Sequence, residues 1–102
     1  MTINEWSDAT AMAQAVQNKT VSPRELVEAT IREAERTNPK INAIVSQRYE
    51  KALKEAEARD FSEKPFAGVP IFLKDLGQKQ AGEPSTAGSR LFTSYHATET
   101  DN

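Results

Sequence analysis

The sequence has no cysteine among its 102 residues. That excludes a thiol nucleophile, a thiolate metal site and any disulfide, and it fits a reducing compartment. Histidine occurs once, as His96 near the C-terminal end, with no aspartate placed beside it by a motif. A serine–histidine–aspartate hydrolase is therefore poorly served. No His/Asp/Glu group has metal-ligand spacing, and the four glycines form neither a P-loop nor a dinucleotide fingerprint. Neither a metal nor a cofactor is expected. No charge of one sign dominates: 13 Lys and Arg face 15 Asp and Glu, for a net charge of −2. That balance predicts no nucleic-acid partner and no polybasic membrane contact. No apolar run approaches the length of a membrane span, and none follows Met1. The expected location is cytoplasmic.

What is present is ordinary soluble sequence, 37% hydrophobic and 27% charged, and long enough for one small domain. Three helices are predicted, at about 7–18, 22–37 and 46–59. The first starts at Ser7, with Asp8 in its opening turn, where the helix dipole favours negative charge. Trp6 is placed to pack back on that turn. Ala9, Met12, Ala13 and Val16 recur at helical spacing, and Asn18-Lys19 closes the helix. The second has the clearest local signal, Ser22-Pro23-Arg24-Glu25: a capping serine, proline in the first helical position, and glutamate three residues after the cap. Leu26, Val27, Thr30, Ile31 and Ala34 form its apolar stripe. It should stop at Asn38-Pro39, because the residue before proline avoids helical geometry. A short strand through Ile41, Ala43, Ile44 and Val45 is expected next. Ser46 then caps a third helix with Tyr49, Ala52, Leu53 and Ala56 facing inward, and Asp60 to Pro65 form a polar loop.

The stretch from Gly68 to Asp75, Gly-Val-Pro-Ile-Phe-Leu-Lys-Asp, carries the functional interest. Ile71, Phe72 and Leu73 make a short apolar, β-forming run, read as a buried strand over about 70–74. Lys74 ends it, where active sites often sit in α/β proteins. The plain alternative is that Lys74 marks where the strand reaches water. A lysine acting as base must shed its proton near neutral pH, which burial or a neighbouring cation favours and a facing Asp75 carboxylate opposes. Residues 75–89 form a loop punctuated by Gly77, Gly82, Pro84 and Gly88, long enough to suggest function. Its stretch from Leu76 to Thr86 is expected to be the least ordered interior part. Ser85 and Ser89 lie in the loop without a recognisable nucleophile setting. Arg90-Leu91-Phe92 suggests one helical turn.

These motifs resemble the start of the amidase signature family, which includes bacterial amidases, the A subunit of the glutamyl-tRNA amidotransferase and fatty acid amide hydrolase. The resemblance rests on Phe66-Ala-Gly-Val-Pro-Ile-Phe-Leu-Lys-Asp75, followed by Gly82 and Ser85-Thr-Ala-Gly-Ser89. Upstream, the Ser22 helix start with Glu25-Leu26-Val27 and the Asn38-Pro39-Lys40-Ile41-Asn42-Ala43 stretch fit as well. The likeness runs from about Trp6 to Thr100. Ser85 stands where the family's loop motif has threonine. Leu76 follows Asp75 where the family commonly has asparagine, a departure that resembles bacterial amidases related to cyclic amide dimer hydrolases.

The resemblance implies an α/β fold, a mixed sheet flanked by helices, to which this chain contributes N-terminal helices and one or two strands. It also implies a Ser–cisSer–Lys triad whose lysine maps onto Lys74. Both serines and the oxyanion donors would lie in a glycine- and serine-rich stretch further downstream. Ser85 and Ser89 match the family's loop serines and not its catalytic ones. The chain is thus expected to be the N-terminal segment of an amidase signature hydrolase acting on a small linear amide, and to be inactive by itself. The competing expectation is a stand-alone α/β interaction module without catalysis, forming homo-oligomers through exposed apolar surface.

Overall fold

A computed structural model describes residues 7–58 and 64–101 of the chain. They belong to two compact units, Met1–Pro70 and Ile71–Asn102. The expected packing of Trp6, the end of the third helix at Arg59 and most of the loop after it lie outside the described residues.

The first unit is helical. Helix α1 spans Ala9–Gln17. Its cap is Asp8, not Ser7: the Asp8 carboxylate accepts the Ala11 amide at 2.8 Å. The charge expected inside the first turn thus sits one position earlier and satisfies a free backbone donor as well as the dipole. At the other end Lys19 takes a left-handed φ of 58°. Its amide donates to the Val16 carbonyl at 3.1 Å and the Thr20 amide to Ala15 at 2.9 Å. This is a Schellman closure with lysine where glycine is usual.

Helix α2 spans Pro23–Ile41 and opens on the complete capping box. Ser22 Oγ accepts the Glu25 amide at 3.1 Å and Glu25 Oε1 accepts the Ser22 amide at 3.3 Å. The helix does not stop at Asn38-Pro39; it carries Pro39 in its last turn. Asn38 makes this tenable. Its carbonyl accepts the Asn42 amide at 2.7 Å, and its side-chain oxygen accepts the Ile44 amide at 2.9 Å. Asn42, at φ 50°, turns the chain out of the helix. Ile41 is consumed by this last turn, and residues 42–48 have no regular structure, so the strand expected after the break is not formed.

Helix α3 spans Tyr49–Ala58. It begins after Arg48, whose carbonyl accepts the Ala52 amide at 3.0 Å, rather than at Ser46. The Arg48 guanidinium grips both Glu55 oxygens, at 2.6 and 3.2 Å. α2 and α3 lie antiparallel: Arg24, at the start of α2, reaches Glu57, near the end of α3, at 2.6 Å. The same arginine holds Glu28 at 2.8 Å. The buried positions of this unit are Ala13, Ala15, Leu26, Val27, Ala34, Ala56 and Ala67. Small side chains dominate, so the backbones approach closely. Gly68 shows how closely. It has a φ of +84°, and a Cβ there would stand 2.9 Å from Pro23 Cγ and 3.3 Å from Val16 Cγ1. The glycine that opens Gly-Val-Pro is therefore required by a backbone turn and by the α1–α2 corner it presses on.

The second unit contains one 3₁₀ turn, Arg90–Phe92, and an antiparallel bridge between Pro84 and His96. The strand expected over 70–74 is absent, and no strand occurs among the described residues. A strand exists only as part of a ladder, and Ile71, Phe72 and Leu73 face solvent at 77%, 56% and 47% exposure with none formed. The stretch expected to be least ordered, Leu76 to Thr86, is hydrogen-bonded to the residues near the C-terminal end. Gly82 donates to Ala97 at 2.8 Å, Ala97 to Glu83 at 3.0 Å, and Ser85 to Tyr95 at 3.2 Å. Further along, the Lys79 amide meets the Asp101 carboxylate at 2.9 Å and the Asp101 amide meets the Lys79 carbonyl at 3.0 Å. Residues 79–85 thus run antiparallel to 95–101, with Ala97 buried between them.

Candidate functional site

Lys74 ends a segment without regular structure, and its side chain is exposed. Its amide donates to the Gln78 side-chain oxygen at 2.9 Å, closing a small turn over residues 75–77. Among the described residues Lys74 has no ion pair. The burial that would favour a neutral lysine is therefore not found at Lys74.

Asp75 is the organising residue. Its Oδ1 accepts the Thr86 amide at 2.7 Å. Its Oδ2 accepts the Thr86 hydroxyl in a short bond and the Gly88 amide at 3.3 Å. Its backbone carbonyl accepts the Ala87 amide at 2.9 Å. One aspartate therefore secures three successive residues of the loop. Ala87 and Gly88, at φ 51° and 68°, turn their amides inward to make this possible. The Thr86 hydroxyl, and after it the Thr86 amide, hold the Asp75 carboxyl below its ordinary range, against the opposing effect of partial desolvation. The Gly88 and Ala87 amides act in the same direction as Thr86.

The loop serines have structural duties. Ser89 Oγ accepts the Leu91 amide at 3.2 Å and caps the 3₁₀ turn. Ser85 lines an open, largely apolar cleft of about 190 Å³ with Ala87, Phe92 and Tyr95. No hydrogen bond joins Lys74 to Ser85 or to Ser89. His96 is exposed, with Nδ1 3.1 Å from the Ser94 carbonyl, and is far from any catalytic arrangement of its own. Among the described residues no group of three His, Cys, Asp or Glu could hold a metal. Likewise no helix is long and apolar enough to cross a membrane.

The candidate site is therefore a lysine beside an aspartate-clamped turn, with no serine hydrogen-bonded to Lys74 among the described residues. Sequence reasoning singled out Lys74 and treated Asp75 only as a threat to it. The sequence carries no local signal for the clamp, because Thr86 and Gly88 lie eleven and thirteen residues after Asp75.

Comparison with known proteins places these features in context. The amidase family model matches residues 25–102. The chain is 42% identical over 85 residues to the 6-aminohexanoate-cyclic-dimer hydrolase of Pseudomonas sp. (strain NK87), covering 83% of this chain and 17% of that protein. It is 42% identical over 86 residues to the lipoamidase of Enterococcus faecalis, covering 82% of this chain and 12% of that protein. A bacterial aryl acylamidase of the amidase signature family superimposes with a TM-score of 0.72 at 31% identity, over 91% of this chain and 20% of that one. The chain thus spans about a fifth or less of the length of these relatives.

Proposed function

Because the chain belongs to the amidase signature family, we propose that it is the N-terminal segment of a carboxamide C–N hydrolase and contributes Lys74 as the base of a Ser–cisSer–Lys triad. In this reading the neutral Lys74 amine draws a proton through a bridging serine from the nucleophilic serine, which attacks the amide carbon. The proton returns to the departing amine. Water then hydrolyses the acyl group, with the lysine again taking and returning a proton. Both serines come from sequence outside residues 1–102, so the segment alone does not turn over amides. The substrate is a small linear amide. A related protein is named for a cyclic dimer, so ring-opening is the nearest competing chemistry. The absence of cysteine supports a cytoplasmic setting.

The observation that carries the reading is the placement of Lys74 directly before the Asp75–Thr86–Gly88 clamp, within the stretch matched by the family. The test is segment exchange. The corresponding part of the 6-aminohexanoate-cyclic-dimer hydrolase is replaced by this chain, and hydrolysis of linear and cyclic amides is followed. Turnover by the chimera and none by the 102-residue chain is expected. Turnover by the chain alone would overturn the reading.

A second reading is favoured by one observation. Ile71, Leu76 and Leu91 are 77%, 61% and 83% exposed within the second unit. Such a surface suits self-association of a non-catalytic module. A sedimentation profile that shifts with concentration would support it, and a monomer at all concentrations would remove it.

A further inference from the structure

The lysine and aspartate of the Lys74-Asp75 pair are adjacent in sequence, and their charges would ordinarily seek one another. A carboxylate facing the ammonium favours the protonated lysine and so works against a base. The structure shows a different use of the carboxylate. Both of its oxygens are taken by donors from the loop, Oδ1 by the Thr86 amide and Oδ2 by the Thr86 hydroxyl and the Gly88 amide. Lys74 is left without an ion pair among the described residues.

We infer that Asp75 is a positioning residue: by committing its carboxylate to Thr86 and Gly88, it fixes the turn beside Lys74 and is withheld from the lysine. The inference rests on the proposed role of Lys74 as base. The Thr86 hydroxyl is the decisive donor, since it occupies the oxygen that the Gly88 amide holds only at 3.3 Å. The Ala87 amide bonds to the Asp75 backbone and keeps the turn close when the side chain is altered. Freeing the carboxylate, rather than removing it, should therefore harm the lysine.

The test needs no catalysis and uses the chain as it stands. Lys74 is acetylated by limiting acetic acid N-hydroxysuccinimide ester, with exposed Lys40 and Lys54 as internal references read by mass spectrometry. Only the neutral amine reacts. Thr86→Val frees an Asp75 oxygen and should slow Lys74 relative to the references by roughly threefold or more, as an opposite charge comes within reach. Thr86→Ser keeps the hydroxyl and the original rate. The double variant Asp75→Asn/Thr86→Val has no carboxylate to release and should regain the original rate. Asp75→Glu, one methylene longer and unable to meet both Thr86 groups in the same way, should slow Lys74 as well. Equal rates in Thr86→Val, Asp75→Glu and the unaltered chain would overturn the inference. So would slowing that persists in the double variant, because the cause would then be altered packing. Neither result depends on amide hydrolysis, so failure here is distinct from failure of Lys74 as a base.

Discussion

Replacing Gly68 by alanine is the sharpest test of how the helical unit packs. The residue sits at φ +84°, and the new Cβ would meet Pro23 Cγ at 2.9 Å and both Pro23 Cβ and Val16 Cγ1 at 3.3 Å. Two costs combine. Holding an L side chain at positive φ costs about 1–2 kcal/mol. Forcing a methyl into a filled corner costs about 1–3 kcal/mol, since proline is rigid and α1 must shift. The loss of freedom in the unfolded chain returns about 0.4–1 kcal/mol. The net expectation is destabilisation by roughly 2–4 kcal/mol, a large share of what a small domain possesses. All three α-helices lie in the same unit as Gly68, so circular dichroism at the helical band reads it directly. The midpoint should fall by about 8 °C or more. A Gly68→Ala loss below about 1 kcal/mol would show that the α1–α2 corner yields and would refute the reasoning.

Three further outcomes are expected. The Asp75 carboxyl is held low by the Thr86 hydroxyl and amide, so the folded chain binds fewer protons there than the unfolded one. Its contribution is complete above about pH 4 and is lost as pH falls through the lowered folded value. Protection of the Thr86 and Gly88 amides, taken relative to their intrinsic exchange rates at each pH, should therefore fall only in acid; loss that begins near neutral pH would contradict the clamp, and Asp75→Asn should abolish the step. Ser22→Ala removes the hydroxyl that accepts the Glu25 amide and should cost about 1 kcal/mol in urea unfolding. A change too small to measure would mean that Glu25 and Pro23 secure the helix start unaided. Lys74→Ala in an active chimera should slow acylation by about 10²–10⁴-fold, the usual worth of a general base.

Local signals were legible in the sequence where one stretch of chain contains both partners. The Ser22–Glu25 box is the best case, because cap and reciprocal cap lie within one turn. Asn18-Lys19 also ends α1, but the left-handed position falls on Lys19 and not on the asparagine that tolerates it best. Reasoning failed where the deciding contact lies further off. The rule that helices stop before proline lost at Asn38-Pro39 to Asn38 itself, whose side chain and carbonyl close the last turn. Ser46 was a plausible cap, yet α3 starts after Arg48. The apolar run before Lys74 gave a strand pattern, but pattern alone supplies no ladder partner. The loop looked loose because its glycines and prolines were visible and its pairing with residues 95–101 was not. The candidate site divides the same way. Lys74 stood out by its place after Ile71-Phe72-Leu73, whereas the role of Asp75 depends on donors brought back by a turn.

We propose Lys74 as the base of an amide hydrolase. Its most direct test is the pH dependence and rate of linear amide hydrolysis by the segment-exchange chimera, with Lys74 intact and as Lys74→Ala. Hydrolysis by the intact chimera, and its near-complete loss at every pH in the variant, are expected. Undiminished hydrolysis by Lys74→Ala, with the same pH profile, would contradict the proposal.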